Sequence, residues 1–424
     1  MHISKRILLV LIVLLSVPFG IFAQWNVTGG LYTPYEYTPP SSSGLSAVML
    51  VYGTSNLSLR YQTSALQPQT VAFEQHGNTV LFENPESGYG YFIEQNDRII
   101  SYIWLIDYEP LKLEMSQLSV DDELSDCNQV RLSFAHSAPN LSYNSINGRS
   151  YVIDRMYTVK WQSLQWNDDS KQFIISEVQE TVKDSKDIPL TAPLCDTQFE
   201  LTGDQFLSFW GIARQVSTPL YQAVAVDCKA FAEQHVRDAG NELEKENSEL
   251  GGSAPVNISF TGYANCPVTT YQAWEISRNA DFEVLEATYT DQNLDYSFEE
   301  EGTLYVRYVV SNAQGSCSQI AGPFKINVSE SSLQVPNVFT PDSENGNNQV
   351  FKVAYKSIVK FEAQIFNRWG NLLYKWNDPS QGWDGKYHGK IVPTGAYYYV
   401  IKAEGAGGKK YRLKGDINVL RTRN

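Results

Sequence analysis

Val335-Pro-Asn-Val-Phe-Thr-Pro341, Ile365-Phe-Asn-Arg-Trp-Gly370, Gly382-Trp-Asp-Gly385, Pro393-Thr-Gly-Ala-Tyr-Tyr-Tyr399 and Val419-Leu-Arg421 punctuate the end of this 424-residue chain. Between them, Phe361 to Phe366 and Leu372 to Trp376 are apolar-rich runs separated by Asn-Arg-Trp-Gly-Asn. That spacing predicts a hairpin with Gly370 or Asn371 at a positive φ. Trp383-Asp384-Gly385 and Lys414-Gly415-Asp416 mark further turns, and Pro393-Thr394-Gly395 leads into Ala396 to Ala403, whose β-branched and aromatic residues suit a pleated strand. About seven short strands fit in residues 333–424, as in an immunoglobulin-like sandwich.

In order and spacing these motifs resemble the gliding motility-associated C-terminal domain, the type B sorting signal of the type IX secretion system. The residues that carry the resemblance are Pro336, Asn337, Phe339 and Pro341; Phe366, Asn367, Arg368, Trp369 and Gly370; Trp383, Asp384 and Gly385; Pro393, Gly395, Tyr397 and Tyr399; and Arg421. The resemblance implies export through the outer membrane and dependence on the secretion translocon, often with a dedicated outer-membrane β-barrel partner. It also implies an Asn-Gly-Asp-Gly-x-Asn-Asp loop, where this chain has Asp342-Ser-Glu-Asn-Gly-Asn-Asn-Gln349. Such a loop offers oxygens to a hard cation such as calcium. With few carboxylates a plain turn is expected, and no metal or cofactor is assigned.

The N-terminus has the three parts of a secretory signal: Lys5-Arg6, an apolar core from Ile7 to Val17, and Ala23 before Gln24. Cleavage after Ala23 is expected. The apolar run, broken by Pro18 and Gly20, is short for a membrane span.

Charge is unevenly placed. Residues 333–424 hold 14 Lys/Arg against 7 Asp/Glu, while the whole chain carries −14. With the two basic residues of the leader set aside, residues 24–332 carry −23. An acidic body argues against nucleic acid as a partner class, since phosphate binding needs a basic face. A basic C-terminal module suits an acidic partner surface or lipopolysaccharide phosphates.

Five cysteines, at 127, 195, 228, 266 and 317, sit on a chain with an export signal, where disulfides form and persist. Cys266 and Cys317 lie on loops flanking the central strands of one predicted sandwich and are the expected bridge. Cys127 with Cys195 is the second choice, leaving Cys228 unpaired. No Cys-x-x-Cys is present to suggest a zinc ribbon or a thioredoxin-like site.

Working toward the N-terminus, residues 253–332 read as one module. Val256 to Phe260, Tyr271 to Ile276, Phe282 to Tyr289, Leu294 to Phe298, Leu304 to Ser311 and Phe324 to Val328 are the predicted strands. Trp274 is the expected core plug, and Tyr305 follows a turn as in a tyrosine corner. The module resembles polycystic-kidney-disease-type and related immunoglobulin-like domains. Residues 229–252 are polar, contain Asn241-Glu-Leu-Glu-Lys-Glu-Asn-Ser-Glu249 and end in Gly251-Gly252, which predicts a short helix running into a linker. Residues 24–228 are β-rich throughout and divide into two sandwiches, 24–111 and 112–228. The fold class is therefore all-β: tandem immunoglobulin-like sandwiches after a cleaved leader (residues 1–23), with one helical linker.

Catalytic signatures are sparse. His76, His136, His235 and His388 show no metal-ligand spacing, and no Gly-x-Ser-x-Gly, Gly-x-x-x-x-Gly-Lys-Ser/Thr or Gly-x-Gly-x-x-Gly occurs. His76 before Gly77 reads as a turn residue. Asp121-Asp122-Glu123 and Glu299-Glu300-Glu301 are runs of acids, the usual mark of exposed turns rather than a glycosidase pair. Tyr32-Thr-Pro-Tyr-Glu-Tyr37, Tyr89-Gly-Tyr-Phe92, Tyr102-Ile-Trp104 and Trp161-Gln-Ser-Leu-Gln-Trp166 offer rings for stacking on sugars or for protein interfaces.

The reading is a non-enzymatic surface or secreted protein for adhesion, surface architecture or envelope-complex assembly. Its partners are the translocon, a β-barrel protein, and a surface glycan or protein ligand. The alternative is a glycan-binding subunit or carbohydrate-active enzyme with its site in residues 24–228.

Overall fold

Strands of alternating burial, stacked in pairs of sheets, account for nearly all regular structure in a computed structural model of the chain. It describes residues 24–421 except 28–29, 34–45, 52–57, 63–71, 78, 84, 96–97, 146–147, 213, 238, 244–249, 344–345 and 347. The expected leader and most of the Tyr32–Tyr37 cluster therefore lie outside the described residues. No described helix is long and apolar enough to cross a membrane.

The first sandwich sets Gln24–Val27, Ser58–Gln62, Thr79–Glu83 and Glu74–His76 against Gly30–Thr33, Ser46–Val51, Arg98–Asp107 and Tyr89–Gln95. Ser46–Val51 runs parallel to Arg98–Asp107, so the sheet interior there reads as a continuous apolar run, Met49, Leu50 and Val51 all being fully buried. The second pairs Asp187–Thr191, Gln129–Ser137 and Glu114–Asp121 with Gln172–Lys183, Met156–Asn167, Glu200–Thr202 and Gln215–Ser217. Leu50, Ile106 and Tyr108 of the first join the core of the second.

At that seam Asp204 accepts hydrogen bonds from Tyr108 Oη (2.7 Å) and from Arg155. Arg155 also donates to the Pro139 carbonyl at 2.8 Å and to that of Leu111. Both charged side chains are almost wholly buried, which such groups tolerate only as a fully bonded pair.

The third sandwich places Cys228–His235, Val256–Ala264 and Asn293–Phe298 over Gly251–Gly252, Ser318–Val328, Gly302–Asn312, Thr269–Ser277 and Ala287–Tyr289. Leu304, Val306, Tyr308 and Val310 alternate inward along Gly302–Asn312, and Trp274 fills the core with no exposed surface. Tyr305, expected as a corner residue, is on the opposite, half-buried face. The buried tyrosine of this strand is Tyr308, whose hydroxyl donates to Gln272 at 2.6 Å.

The helix expected in 229–252 is corrected. Cys228–His235 is a strand paired along its whole length with Val256–Ala264. Its side chains alternate between half-buried and exposed (Ala230, Ala232 and Gln234 against Lys229, Phe231 and Glu233), a two-residue period masked in the sequence by the charge run that follows.

The cysteine pairing is also corrected: Cys127 bonds Cys317, and Cys266 and Cys195 are free. The bridge joins the second sandwich to the third, so reasoning confined to one sandwich could not find it. Around it Asn265 Nδ2 donates to the carbonyls of Leu194 and Ala225, both at 2.9 Å, and Asn312 Nδ2 donates to that of Val224 at 3.2 Å. Trp166 of the second sandwich also lies against Phe231 and Tyr263 of the third, with centroids 6.0 and 5.2 Å away. A covalent bridge and an aromatic contact thus hold one joint.

Non-reducing peptide mapping of mature protein is expected to recover Cys127–Cys317, and its loss on Cys127→Ser to cost roughly 2–4 kcal/mol. Exposed Cys266 should alkylate readily under native conditions. Cys228 should not, because burial, with Asp227 beside it, pushes its thiol up to about 12. Recovery of a Cys266–Cys317 peptide would refute this assignment.

Candidate functional site

The fourth sandwich gathers the C-terminal motifs. Val338–Phe339, Lys410–Val419, Gly395–Gly405, Ile358–Phe366 and Leu372–Trp376 form its main sheet in that spatial order, covered by Ser332–Gln334 with Ala354–Lys356 and by a short hairpin at 386–391. Val338–Phe339 runs parallel to the closing strand, and Asn337 O accepts from Asn418 N at 2.9 Å.

Two motifs far apart in sequence meet in the core. Phe339 and Trp383 are both fully buried with ring centroids 5.5 Å apart, and Trp383 also abuts Tyr397 at 5.6 Å. Trp383 Nε1 donates to Lys386 O (3.0 Å), and its backbone exchanges both hydrogen bonds with Phe351. Gly385 follows at φ +74, where a Cβ would stand 2.7 Å from Pro341. This close approach explains why glycine ends Gly-Trp-Asp-Gly. Asp384 turns outward and accepts from Lys386 N at 3.0 Å. Tyr397 Oη donates to Pro393 O (2.9 Å), fixing the entry to the strand that Gly395 begins, and Tyr399 reaches Phe351 at 6.2 Å.

The remaining motif residues stay outside this core. Asn367 Oδ1 accepts from Trp369 N and Asn371 N, both at 3.0 Å, closing the hairpin with Gly370 at φ +82 as expected. Phe366 is half-buried, whereas Trp369 projects from the tip with 70% of its surface exposed and Arg368 over its ring at 4.3 Å. Arg421 donates to Asp342 at 3.1 Å, occupying a carboxylate of the loop considered for a cation. No cluster of three or more His, Cys, Asp or Glu residues is placed to hold a metal among the described residues.

One face of the main sheet is open. Tyr398 pairs with Phe366 and Asp416, Val400 with Gln364 and Lys414, and Lys402 with Glu362 and Arg412. Tyr398, Val400 and nearby Leu372 are 46%, 37% and 47% exposed. The face therefore combines an apolar row, continued by Trp369 at the tip, with a cationic row. Lys375, bonded to Glu362 at 2.7 Å, holds that carboxyl below its usual range.

The candidates in the body dissolve into packing. Tyr102 and Trp161 are buried, Trp104 packs on the second core, and Trp166 serves the joint. Asp121 caps a turn through Glu123 N and Leu124 N, and Glu300 pairs with Arg278. His76 is the exposed last residue of the strand Glu74–His76, before Gly77, which has φ +62. Tyr89 remains exposed. Sequence reasoning missed Arg155–Asp204, because Asp154-Arg155 and Gly203-Asp204 read locally as ordinary turn residues, and it missed 241–243, which opens a polar charge run.

Comparison with known families matches residues 333–419 to the CHU_C Type IX secretion signal domain and residues 119–218 to the fibronectin type III domain. No curated protein matches the chain. Among solved structures, a tetra-tandem repeat from the extending region of a large adhesion protein is 12% identical, covering 88% of this chain and 99% of its own at a TM-score of 0.20. The first three fibronectin domains of chicken CNTN1 are 10% identical (73% and 97% covered, TM-score 0.21). A solved chain from a 1.5-MDa bacterial ice-binding adhesin is 8% identical (73% and 98%, TM-score 0.19). The fold rests on the sheets, and the C-terminal domain is a secretion signal that implies export through the outer membrane to the cell surface or beyond.

Proposed function

We propose that the chain is a non-catalytic strut displayed at the cell surface, serving adhesion, surface architecture or assembly of an envelope complex. The observation that carries this reading is the clasped joint between the second and third sandwiches, where a disulfide and an aromatic cluster both tie the two domains together. A flexible tether needs neither, whereas a spacer that must keep its direction benefits from both. Domains 24–111 and 112–228 are then the ligand-bearing end, for a surface glycan or a protein. The open face of the fourth sandwich is what the type IX translocon reads, with a dedicated outer-membrane β-barrel protein as the holding partner.

Cells lacking the protein are expected to lose attachment to a protein- or glycan-coated surface and to regain it with the full-length chain. Unchanged attachment, with no envelope protein co-purifying with the displayed chain, would overturn the strut reading. For the address, full-length Trp369→Ala with Tyr398→Ala is expected to fold normally, exposed substitutions costing within about 0.5 kcal/mol. Its surface yield should fall several-fold; wild-type yield would remove the open face from the mechanism.

A second reading, glycan binding, has one observation in its favour. A cleft of about 490 Å³ at the joint is lined by Trp161, Gln165, Glu180, Asp227 and Gln319. Binding of the mature chain to an immobilised glycan, lost on Glu180→Ala, would support it over a purely mechanical role.

A further inference from the structure

Residues 241–243 leave the third sandwich and add to the fourth. Asn241 Nδ2 donates to the carbonyls of Val353 and Pro379, both at 2.7 Å. Tyr355 N donates to Asn241 O (3.2 Å) and Leu243 N to Tyr355 O (2.8 Å), which sets Glu242 in parallel register with Tyr355. Ala354–Lys356 thus has Ser332–Gln334 on one edge and this strap on the other.

The Glu242 carboxylate, 1% exposed, accepts from Arg237 and from Ser253 Oγ (2.6 Å). Ser253 Oγ in turn accepts from Ser357 N (2.8 Å), while Ala254 N donates to Ser357 Oγ (3.0 Å), a reciprocal clasp between third and fourth sandwiches. Ala406 and Val359 of the fourth pack against the core of the third, and Tyr411 Oη donates to Ser331 O at 2.8 Å. Stripping the partners from a buried, paired carboxylate is unfavourable, so the joint is costly to open. Gly405 and Gly407 complete the fit: a Cβ would stand 2.0 Å from Ser331 Oγ at the first and 2.1 Å from the Glu301 carboxylate at the second.

We propose that the export address is presented by two domains together: the strap fixes the fourth sandwich on the third and holds its open face in one orientation, and export requires that fixed presentation. The proposal rests on the reading that the open face is recognised, and it extends the functional unit upstream of residue 333 to include Asn241 and Glu242.

Hydrogen exchange on the full-length wild-type chain tests the joint without any substitution. The amides of Leu243 and Tyr355 are expected to exchange as slowly as those of Thr269–Ser277; exchange at loop rates would overturn the proposal. Asn241→Ala, which removes two donated hydrogen bonds, should speed exchange at Leu243 and Tyr355 about ten-fold, as the loss of two part-buried hydrogen bonds implies. It should leave Thr269–Ser277 unchanged and lower surface yield several-fold. Unchanged exchange at Tyr355 in this variant would mean that the strap does not fix the joint, and the proposal would fail. If the joint opens while surface yield stays at wild type, fixed presentation is overturned and the open-face reading stands. Normal export of Trp369→Ala with Tyr398→Ala has a different signature: the joint stays closed, but there is no recognised face for it to present.

Discussion

Trp383→Ala in the full-length chain is expected to keep the protein off the cell surface by unfolding the fourth sandwich, at a cost of about 3–5 kcal/mol. The ring is wholly buried between Phe339 and Tyr397. Its removal leaves a cavity and strips Lys386 O of its indole partner. Domains are stable by only about 5–15 kcal/mol, so such a loss empties much of the folded population at growth temperature. Calorimetry should show an early-melting C-terminal transition, with the Cys127–Cys317 bridge still formed in retained protein. Trp369→Ala is the control, since a ring 70% exposed contributes little to packing. A Trp383→Ala protein that melts and exports like wild type would show that the core around Gly-Trp-Asp-Gly has been misassigned.

Asp204→Ala is the second large effect, acting at the opposite end of the molecule. It leaves Arg155, 3% exposed, without its carboxylate, and breaking one half of a buried pair costs about 3–5 kcal/mol. Tyr108 loses its acceptor as well; burial and the Asp204 carboxylate push its hydroxyl well above the ordinary tyrosine value, so it stays a donor across the accessible pH range. Denaturant unfolding of the full chain should lose stability in the first two sandwiches while the fourth keeps its midpoint. A loss below about 1 kcal/mol would mean that the pair is hydrated rather than buried.

What the sequence revealed and concealed follows from the range of the forces involved. The hairpin at Asn367–Asn371 and the inward row Leu304, Val306, Tyr308 and Val310 were legible because turn chemistry and alternation are local. Trp369 and Trp383 looked equivalent, two tryptophans in two motifs, yet one crowns a hairpin and the other plugs a core. The difference lies in what stands opposite each, Arg368 in one case and Phe339 in the other, and spacing along the chain does not encode that. The strand Cys228–His235 was hidden because its outward positions carry Lys229 and Glu233 and its inward ones small or polar residues. Cys127–Cys317 was hidden because both halves of the bridge sit on turns of different sandwiches.

The same bridge has a mechanical consequence. In the proposed strut, held at its C-terminal sandwich and loaded at its N-terminal ones, tension would pass through every joint. With Cys127 and Cys317 bonded 190 residues apart, the covalent path for that tension bypasses the whole intervening chain. At roughly 3.3–3.6 Å per extended residue, some 600–700 Å of contour stays stored however hard the ends are drawn, until the bond is reduced. Under oxidising conditions the molecule is a short leash, and a reductant in its surroundings would lengthen it under the same load.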